Sequence, residues 1–375
     1  MRILIPTVDY PPIEGGIATV ALQVSRQLAS LGHEVTVVAP ELPRGFDDAG
    51  EPATIVRFKG YGLGWLRLIP FLCRAWPLAK ETDLILAINI AYGGVLGWLA
   101  RRAHGIPYVT FAYAYEFLKF RRVPVLRTLL RGLYRRATFT VAISRYTRRR
   151  LKEFGVPEER IVTIFPGANP ARPLDAERVE AVRQRFELSG GQMILAVGRF
   201  IPRKGHLKLV AAMPEVLEHC PNTHLMLVGR GPCLDECIEK ARALDIEGQV
   251  HCPGYVDDVT LAALYQACDV FALPAGEDER GQVEGFGIVF SEAHAYGKPV
   301  VAGHSGGVPD AVVDGLTGFL VDPHDPHALA EALRKVLQDP KLARRFGEAG
   351  RLRIAQELNW ATFTQRLLDT LAANL

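Results

Sequence analysis

Residues 1–40, MRILIPTVDYPPIEGGIATVALQVSRQLASLGHEVTVVAP, contain the arrangement that decides the fold. A short apolar run, RILIPTV, is followed by an amphipathic stretch from Gly16 to Leu31 and then by a second apolar run, EVTVVAP. Apolar runs of this length predict buried strands, and apolar residues at helical spacing predict the helix that connects them. The first forty residues therefore predict a parallel strand–helix–strand unit.

The same alternation continues along the whole chain, in two series. The first series adds the strands TIVRF, DLILAIN, PYVTFAY and FTVAIS; the second runs MILAVGR, HLMLVGR, QVHCPGY, VFALP, KPVVAG and GFLV. Strands that alternate with helices predict parallel sheets covered on both faces. Between the series, IFPGANPARP at 164–173 interrupts the pattern with three prolines and a glycine. We expect an α/β fold with two Rossmann-like domains joined near this segment, a number that also suits a length of 375 residues.

Positive charge is concentrated in the first half of the chain. Residues 1–165 carry 23 lysines and arginines against 13 acidic residues, whereas the remainder carries 21 against 28. The stretch 119–152 holds twelve basic residues and no acidic one, with leucines interleaved. It predicts contact with anions, such as a phosphorylated substrate or the headgroups of an anionic membrane. The alternative is a solvated helix face. No nucleic-acid-binding motif accompanies the stretch, so we expect no nucleic-acid partner.

Cysteine usage and hydropathy exclude two further classes. Six cysteines in a chain of this length predict reduced thiols rather than a disulfide framework, and Cys233 and Cys237 have no histidine or cysteine pair to complete a zinc site. The N-terminus lacks the long apolar region of a signal peptide. The uncharged stretch 84–100 is divided by Asn89 and by the pair Gly93–Gly94 into a strand and a helix. We therefore expect no membrane span.

Gly15 and Gly16 form the first candidate binding motif. They follow the first predicted strand and open the first helix, where backbone N–H groups bind anions well. A tight turn with no ligand is the alternative. The pair does not match G-x-G-x-x-G, and neither do GRGPCL at 229 nor GFGIVF at 285, which argues against a nicotinamide-dependent oxidoreductase.

The second candidate motif is VGRFIPRKG at 197–205, directly after the first strand of the second series. Arg199 and Lys204 lie in the loop at the carboxyl end of that strand, where ligands of open parallel sheets bind. Two cations at this place suit a diphosphate, the arginine through its planar fork and the lysine as a point charge. Solvated loop charges are the alternative.

The third motif, EGFGIVFSE at 284–292, is the most specific. Two carboxylates, Glu284 and Glu292, flank a predicted helix N-terminus at which Phe286, Gly287 and Ile288 offer backbone N–H groups. A carboxylate that accepts hydrogen bonds from neighbouring hydroxyls is a common sugar-binding device. A glycosidase acid–base pair and a merely capped helix remain alternatives.

The order of these motifs resembles that of the retaining GT-B glycosyltransferases of family 4, a group that includes sucrose-phosphate synthases and phosphatidylinositol mannosyltransferases. The resemblance covers Gly15–Gly16, VGRFIPRKG, GRGP, EGFGIVFSEAHAYGKPVVA and SGGVPDAVVDGLTGFLVDPHD, which is essentially the whole chain. It implies a GT-B fold, with two facing Rossmann-like domains and a cleft between them. It also implies that residues 360–375 return to the N-terminal domain, giving an acceptor-side domain of 1–167 plus 360–375 and a donor domain of 168–359.

The resemblance also assigns residue roles. Arg199 and Lys204 would stabilise the departing diphosphate, and Glu284 with the backbone of Phe286 and Gly287 would hold the hydroxyls of the donor sugar. The amides of Ile288 and Val289 would reach phosphate, Glu292 would bind the ribose, and Gly16 would approach the diphosphate from the other domain. Arg230 and the loop GYVDD at 254–258, with Tyr255 and Val256, would contact the nucleobase. Neither a metal nor another cofactor is implied, and the chain contains no D-x-D.

One stretch departs from the family pattern. Where the family commonly has His-Gly-x-Glu after the fifth strand, this chain has Tyr113-Ala114-Tyr115-Glu116. A tyrosine hydroxyl donates a hydrogen bond but does not titrate near neutral pH as histidine does. Tyr113 and Glu116 are therefore two further candidates, with core packing as the alternative for Tyr113.

The sequence thus predicts an enzyme that moves a hexose, with retention and without a metal, from a nucleoside-diphosphate sugar such as a UDP-sugar to a hydroxyl acceptor. A glycan, a lipid-linked sugar or a small molecule would serve as acceptor, in polysaccharide biosynthesis for example. A nucleotide-sugar epimerase and a non-catalytic sugar-nucleotide-binding protein are the alternatives. We expect a cytoplasmic protein, or one held peripherally at the inner membrane face through residues 119–152.

Overall fold

The structure is a computed structural model that describes residues 1–43, 45–60, 64–119, 123–188 and 190–375. The chain forms two compact units. Unit 1 comprises Met1–Pro166 and Trp360–Leu375, and unit 2 comprises Gly167–Asn359. Each unit contains one fully parallel sheet with helices packed against it. Both sheets are consistent with the predicted α/β class.

The sheet of unit 1 has seven strands in the order β3-β2-β1-β4-β5-β6-β7. The order reverses between β1 and β4, which pair through Ile3–Leu84 and Leu4–Ile85. Such a reversal opens a crevice at the carboxyl ends of the strands. The strands are β1 (Arg2–Pro6), β2 (Glu34–Pro40), β3 (Thr54–Phe58), β4 (Leu84–Ala87), β5 (Tyr108–Ala112), β6 (Thr140–Ala142) and β7 (Ile161–Thr163).

Helices of unit 1 connect these strands and cover the sheet. Helix α1 begins at Gly16 because Gly15 adopts φ 139°, a conformation that side-chain-bearing residues rarely take, and its buried face includes Val24 and Leu28. The other helices are α2 (Leu68–Ala79), α3 (Val95–His104), α4 (Tyr115–Leu118), α5 (Pro124–Arg136), α6 (Arg145–Phe154) and, much later in the chain, α15 (Trp360–Asn374). A π-helical turn at Ile90–Gly94 precedes α3, and 3₁₀ turns lie at Gly64–Arg67 and Glu158–Arg160.

Helix α15 belongs to unit 1 although it follows the whole of unit 2 in the chain. It packs against α1, and Phe363 stacks on Phe111 of β5 with ring centroids 6.3 Å apart. Trp360, Phe363 and Leu367 are buried. The periodic apolar residues after Trp360 therefore complete the core of unit 1.

Unit 2 has six strands in the order β10-β9-β8-β11-β12-β13, again with a reversal, here between β8 and β11. The strands are β8 (Gln192–Val197), β9 (Thr223–Val228), β10 (Val250–Gly254), β11 (Val270–Leu273), β12 (Val300–Gly303) and β13 (Gly318–Val321). The helices are α7 (Ala176–Arg185), α8 (His206–His219), α9 (Leu234–Ala243), α10 (Asp258–Ala267), α11 (Ile288–Ala295), α12 (Val308–Ala311), α13 (Pro326–Gln338) and α14 (Pro340–Gln356). A 3₁₀ turn, Pro202–Lys204, precedes α8.

The stretch 84–100 forms β4, the π-helical turn and the start of α3, as its Asn89 and glycines predict. Within the described residues no helix is both long enough and apolar enough to cross a bilayer. All six cysteines are free, and Cys237 is buried on α9. Strand β7, Ile161–Thr163, was not among the strands predicted from the sequence, because its short run directly precedes the segment 164–173, whose prolines and glycine predict an interruption.

Candidate active site

Loops that follow the strands of unit 2 meet at the β8–β11 reversal. The amide of Gly276, after β11, donates to the carbonyl of Arg203, after β8, over 2.8 Å. The amide of Gly307, after β12, donates to the carbonyl of Glu284 over 2.8 Å. A Cβ atom at Gly306 would overlap that same Glu284 carbonyl, so only glycine permits this approach. The motifs at 197–205, 284–292 and 305–318, which are far apart in the chain, therefore form one site.

A carboxylate and two cations lie at the centre of this site. Oε2 of Glu284 accepts from Lys204 Nζ over 2.6 Å and from Arg203 Nη1 over 3.1 Å. The side chains are only 11–15% exposed, so the charges are largely removed from water. Charge-assisted bonds of this kind are short and strong. Lys204 has three N–H donors, so a lysine bound to Glu284 retains others for a ligand.

The ionisation of Glu284 is fixed by its partners. Burial alone would raise the pKa of this carboxyl, but the positive charges and hydrogen bonds of Lys204 and Arg203 lower it to about 2. Glu284 is therefore a carboxylate over the whole physiological range. It accepts hydrogen bonds and does not act as a general acid.

The N-terminus of α11 lies beside this cluster. Gly287 adopts φ 91° immediately before Ile288, and a Cβ there would lie 3.5 Å from Cγ of Glu284. No side chain caps the first amides of α11, which include those of Ile288 and Val289, while Phe286 is buried beneath the turn. Helix N-termini bind anions through such amides and the helix dipole.

Glu292, one turn into α11, is held by a tyrosine. Tyr265 on α10 donates its hydroxyl to Glu292 Oε2 over 3.0 Å and stacks on Tyr296 with centroids 5.5 Å apart. Burial raises the pKa of Glu292, although the Tyr265 hydroxyl acts in the opposite direction. One of its two carboxylate oxygens is thus occupied by Tyr265, an arrangement suited to a residue that orients a hydroxylated ligand.

Arg199 and Arg230 are exposed at the same edge of the sheet. The Arg230 guanidinium lies over the ring of Tyr255, 5.0 Å from its centroid, while Val256 next to it is buried. Both groups are exposed, and a guanidinium or an aromatic ring offers a planar face on which a base stacks. Asp257, in the same loop, accepts from the amides of Val259 and Thr260 and caps α10. Asp257 thus has a structural role.

Unit 1 presents its candidate residues at the carboxyl ends of its own strands. Gly15 and Gly16 are exposed at the start of α1, as the sequence predicts. Tyr113 and Glu116 follow β5. Tyr113 is 9% exposed and its hydroxyl has no contact with solvent, so it is a largely buried side chain here. Glu116 Oε1 accepts from the Tyr113 amide over 2.8 Å and from the Tyr134 hydroxyl over 3.0 Å.

Sequence reasoning missed two residues of the unit 2 site. Arg203 binds Glu284, and Tyr265 binds Glu292. Arg203 adjoins Lys204, so its proximity was available as a signal, but adjacent residues in a loop need not face the same ligand. Tyr265 lies on a different helix, and only the folded contact identifies it.

Comparison with known proteins identifies the family of the chain. The description "Glycosyl transferases group 1" matches residues 179–353, and "Glycosyltransferase Family 4" matches residues 14–172. A GDP-mannose-dependent alpha-(1-6)-phosphatidylinositol monomannoside mannosyltransferase of Mycolicibacterium smegmatis is 33% identical over 379 residues, covering 98% of each chain. The chain is a family 4 glycosyltransferase. It has the GT-B architecture of its structural neighbours and uses a nucleotide-sugar donor.

Further relatives of this glycosyltransferase include the GDP-mannose-dependent monoacylated alpha-(1-6)-phosphatidylinositol monomannoside mannosyltransferase of Corynebacterium glutamicum, 31% identical with 99% and 97% of the chains covered. Among solved structures, the sucrose-phosphate synthase of Thermosynechococcus elongatus superposes with a TM-score of 0.84 at 24% identity, covering 99% and 98%. Anabaena HepE in complex with UDP and glucose also gives 0.84, at 21% identity, with both chains fully covered.

A metal site is not evident in the part of this glycosyltransferase that the structure describes. No three histidine, cysteine, aspartate or glutamate side chains there are grouped so as to hold an ion. Independence from metal stays a prediction, which binding measurements with a chelator test.

Proposed function

We propose that this enzyme transfers a mannosyl residue from GDP-mannose, with retention of configuration and without a metal, to a hydroxyl of a lipid-linked polyol. The observation that carries the proposal is the Lys204–Arg203–Glu284 cluster beside the N-terminus of α11. An acceptor hydroxyl would attack the anomeric carbon on the face from which the diphosphate leaves. The electron pair of the broken bond stays on the diphosphate, an oxygen of which takes the proton of the acceptor hydroxyl, and no protein nucleophile is assigned.

The proposed roles follow from the chemistry of the cluster. Negative charge develops on the leaving diphosphate, and fixed cations and helix amides that face it lower the barrier. Lys204 and the first amides of α11 supply both kinds of donor, with Arg199 exposed at the same sheet edge. Glu284, as a carboxylate, would accept from hydroxyls of the donor sugar while it orients Lys204. Glu292 would accept from the ribose.

Two lines of likeness point to different nucleobases. The mannosyltransferases of Mycolicibacterium smegmatis and Corynebacterium glutamicum, 33% and 31% identical, carry names that specify GDP-mannose, whereas HepE, with UDP bound, is 21% identical. We give the first line more weight because its sequence identity to this chain is higher, while the coverage of the chain is nearly the same. The exposed Arg230–Tyr255 surface would suit either a purine or a pyrimidine base. The preference for GDP over UDP is therefore tested by measuring both affinities.

Calorimetric titration with GDP, UDP and ADP, each in the presence of EDTA, tests the donor site. We expect GDP to bind most tightly without metal, and Lys204→Ala to weaken that binding about 10- to 150-fold because a charge-assisted contact to phosphate contributes about 1.5–3 kcal/mol. Tighter binding of UDP than of GDP would indicate that the donor is a UDP-sugar and not GDP-mannose. Absence of binding by all three nucleotides would contradict the proposed function.

Product analysis separates the proposed transfer from its two rivals. An epimerase converts the nucleotide sugar when no acceptor is present, and a sensor leaves it unchanged even with acceptor. With GDP-mannose and a phosphatidylinositol-type acceptor, the transferase yields GDP and a new glycosidic bond. The one-bond C1–H1 coupling constant of the transferred mannosyl residue, measured by NMR, decides between retention and inversion.

The acceptor side of the proposal rests on the first half of helix α5. Val125 is 78% exposed, Leu126 37% and Leu129 50%, and the side chain of Arg127 among them is also exposed. An exposed apolar group with a cation suits the interface of an anionic membrane, which would present a lipid-linked acceptor. The basic stretch 119–152 does not form one continuous helix, because β6 separates α5 from α6. Phe120, Arg121 and Arg122 lie outside the described residues.

Basic residues of α6 are engaged within the unit instead. Arg148 and Lys152 both bind Glu158, and Arg150 binds Glu153. These pairs reduce the free positive charge of α6. The exposed large apolar side chains lie on α5 and not on α6 within the described residues, so the proposed membrane contact is assigned to α5.

Sedimentation with vesicles of phosphatidylglycerol and phosphatidylcholine tests this contact at low salt. We expect the wild-type protein to bind and Val125→Asp to reduce binding at least fivefold, because an aspartate at the interface loses apolar burial and repels anionic lipid. Leu352→Asp, an exposed leucine of unit 2, is the control and should bind like wild type. Equal binding by both variants, or none by the wild type, would leave α5 a solvated face.

A further inference from the structure

The turn after β5 has a strained backbone. Ala114 adopts φ 74° and ψ −48°, a region that residues with a Cβ rarely enter. Glycine takes this conformation without strain, but the chain has alanine here. A strained residue persists only when its surroundings fix it, and such residues concentrate at functional sites.

Glu116 provides the contact that fixes this turn. Its Oε1 accepts the amide of Tyr113, on the other side of Ala114, over 2.8 Å. The same oxygen accepts the hydroxyl of Tyr134 from α5 over 3.0 Å, which anchors the carboxylate to the core. The Ala114 carbonyl in turn accepts from the amide of Leu118 over 3.1 Å. The turn is therefore closed on both sides of its strained residue.

The surroundings of Glu116 disfavour its charge. Oε2 is shielded from solvent and has no hydrogen-bonding partner among the described residues. The titratable groups that interact with the Glu116 carboxyl are Tyr113 directly after β5, Tyr134 on α5 and Asp9 after β1. Burial, reinforced by the negative charge of Asp9, raises the pKa of Glu116 to about 7 even though the hydrogen bonds from Tyr113 and Tyr134 lower it.

We propose that Glu116 is a positioning residue whose carboxylate holds the strained Tyr113–Ala114 turn, so that turnover depends on the ionisation of this one side chain. The proposal rests on the proposed function for its activity readout. In this proposal Glu116 acts through the backbone of Tyr113, whose amide it binds. Direct contact of Glu116 with a ligand is not assigned, because its other oxygen, Oε2, is shielded from solvent.

The location of the turn gives this device a reason. It lies at the carboxyl end of β5, at the same sheet edge as Asp9 after β1 and Asn89 after β4, and these two side chains are hydrogen-bonded over 3.0 Å. Ligands of open parallel sheets bind at this edge. A carboxylate accepts an N–H about twice as strongly as a neutral acid does, so ionised Glu116 holds the turn more firmly than protonated Glu116.

The pH dependence of kcat and KM for wild type, Glu116→Gln and Glu153→Gln tests the proposal between pH 5.5 and 9. The ratio of wild-type to Glu116→Gln kcat should rise about fivefold with a midpoint near pH 7, because glutamine mimics the neutral acid at every pH. The ratio of wild type to Glu153→Gln, an exposed glutamate of α6, should stay constant. A Glu116→Gln ratio that does not change with pH would overturn the proposal.

A second variant distinguishes positioning from loss of structure. Ala114→Gly removes the backbone strain, so in its background Glu116→Gln should cost less than half of what it costs in the wild type. A merely structural role for Glu116 predicts equal losses in both backgrounds, and that result would contradict the proposal.

Hydrogen–deuterium exchange provides a readout that needs no enzyme activity. After correction for intrinsic exchange, the amides of a peptide spanning residues 112–117 should be better protected above pH 7 than below it in wild type, and Glu116→Gln should abolish that difference. If exchange follows this pattern while no transfer occurs, the proposed function fails and the positioning role stands. If transfer occurs but protection is independent of pH, only the positioning role fails.

Discussion

Replacing Lys204 by alanine is expected to lower kcat/KM by about 10²–10³-fold, the usual cost of removing one preorganised donor to a developing negative charge. The effect should fall mainly on kcat, since the charge on the diphosphate grows as the glycosidic bond breaks. Lys204 is only 9% exposed, so a water molecule does not readily replace its ammonium group as a donor to the diphosphate. Steady-state kinetics with saturating acceptor measures the change.

Lys335→Ala is the matched control for this experiment. The Lys335 side chain is 53% exposed on α13 and pairs with Glu331 one turn earlier, so kcat/KM should remain within twofold of wild type. Activity of Lys204→Ala close to that of the control would show that Lys204 serves only to bind Glu284. The leaving-group role would then pass to Arg199 or Arg203.

Glu284→Gln should have the second largest effect, and it should be visible in stability as well as in rate. The substitution leaves Lys204 and Arg203 beside a neutral amide, and breaking a largely buried ion pair costs about 3 kcal/mol. Because the pKa of Glu284 is lowered to about 2 in the folded protein, the wild type gains this stability above pH 4.5 and loses it as the pH falls toward 2.

The difference in free energy of unfolding between wild type and Glu284→Gln should therefore narrow by about 2 kcal/mol between pH 7 and pH 3. Denaturant titrations followed by circular dichroism measure it at each pH. Glu279→Gln, exposed on the same loop, is the control and should show no such trend. A difference that is constant with pH would mean that charge on Glu284 does not stabilise the fold.

Much of the fold was predictable because buried parallel strands are short apolar runs bounded by glycine and proline. Strands β2 and β3 agree residue for residue with EVTVVAP and TIVRF. Strand β7 was missed because its short run leads directly into the proline-containing segment 164–173, which predicts an interruption of the strand–helix alternation. The order of strands in each sheet lies beyond periodicity, since apolar patterning shows that a strand is buried and not which strand lies next to it.

The site was predictable in its motifs and less so in its contacts. The sequence placed Lys204 and Glu284 in loops of the same sheet edge, but it assigned them to different parts of the donor, whereas they bind each other. The 3₁₀ turn at Pro202–Lys204 sets the direction of the Arg203 and Lys204 side chains, and both of them bind Glu284. The strain at Ala114 could be found only from its backbone angles, although the alanine in place of the family's glycine marked the position.

Helix α15 has a consequence for how the protein is made. Unit 2 is one continuous segment, Gly167–Asn359, whereas unit 1 needs both ends of the chain. During translation all of unit 2 therefore emerges from the ribosome before α15, the helix that covers Phe111 and α1, has been synthesised. The nascent first unit must wait, with apolar surface uncovered, through almost two hundred further residues, and a chaperone would find its binding site there.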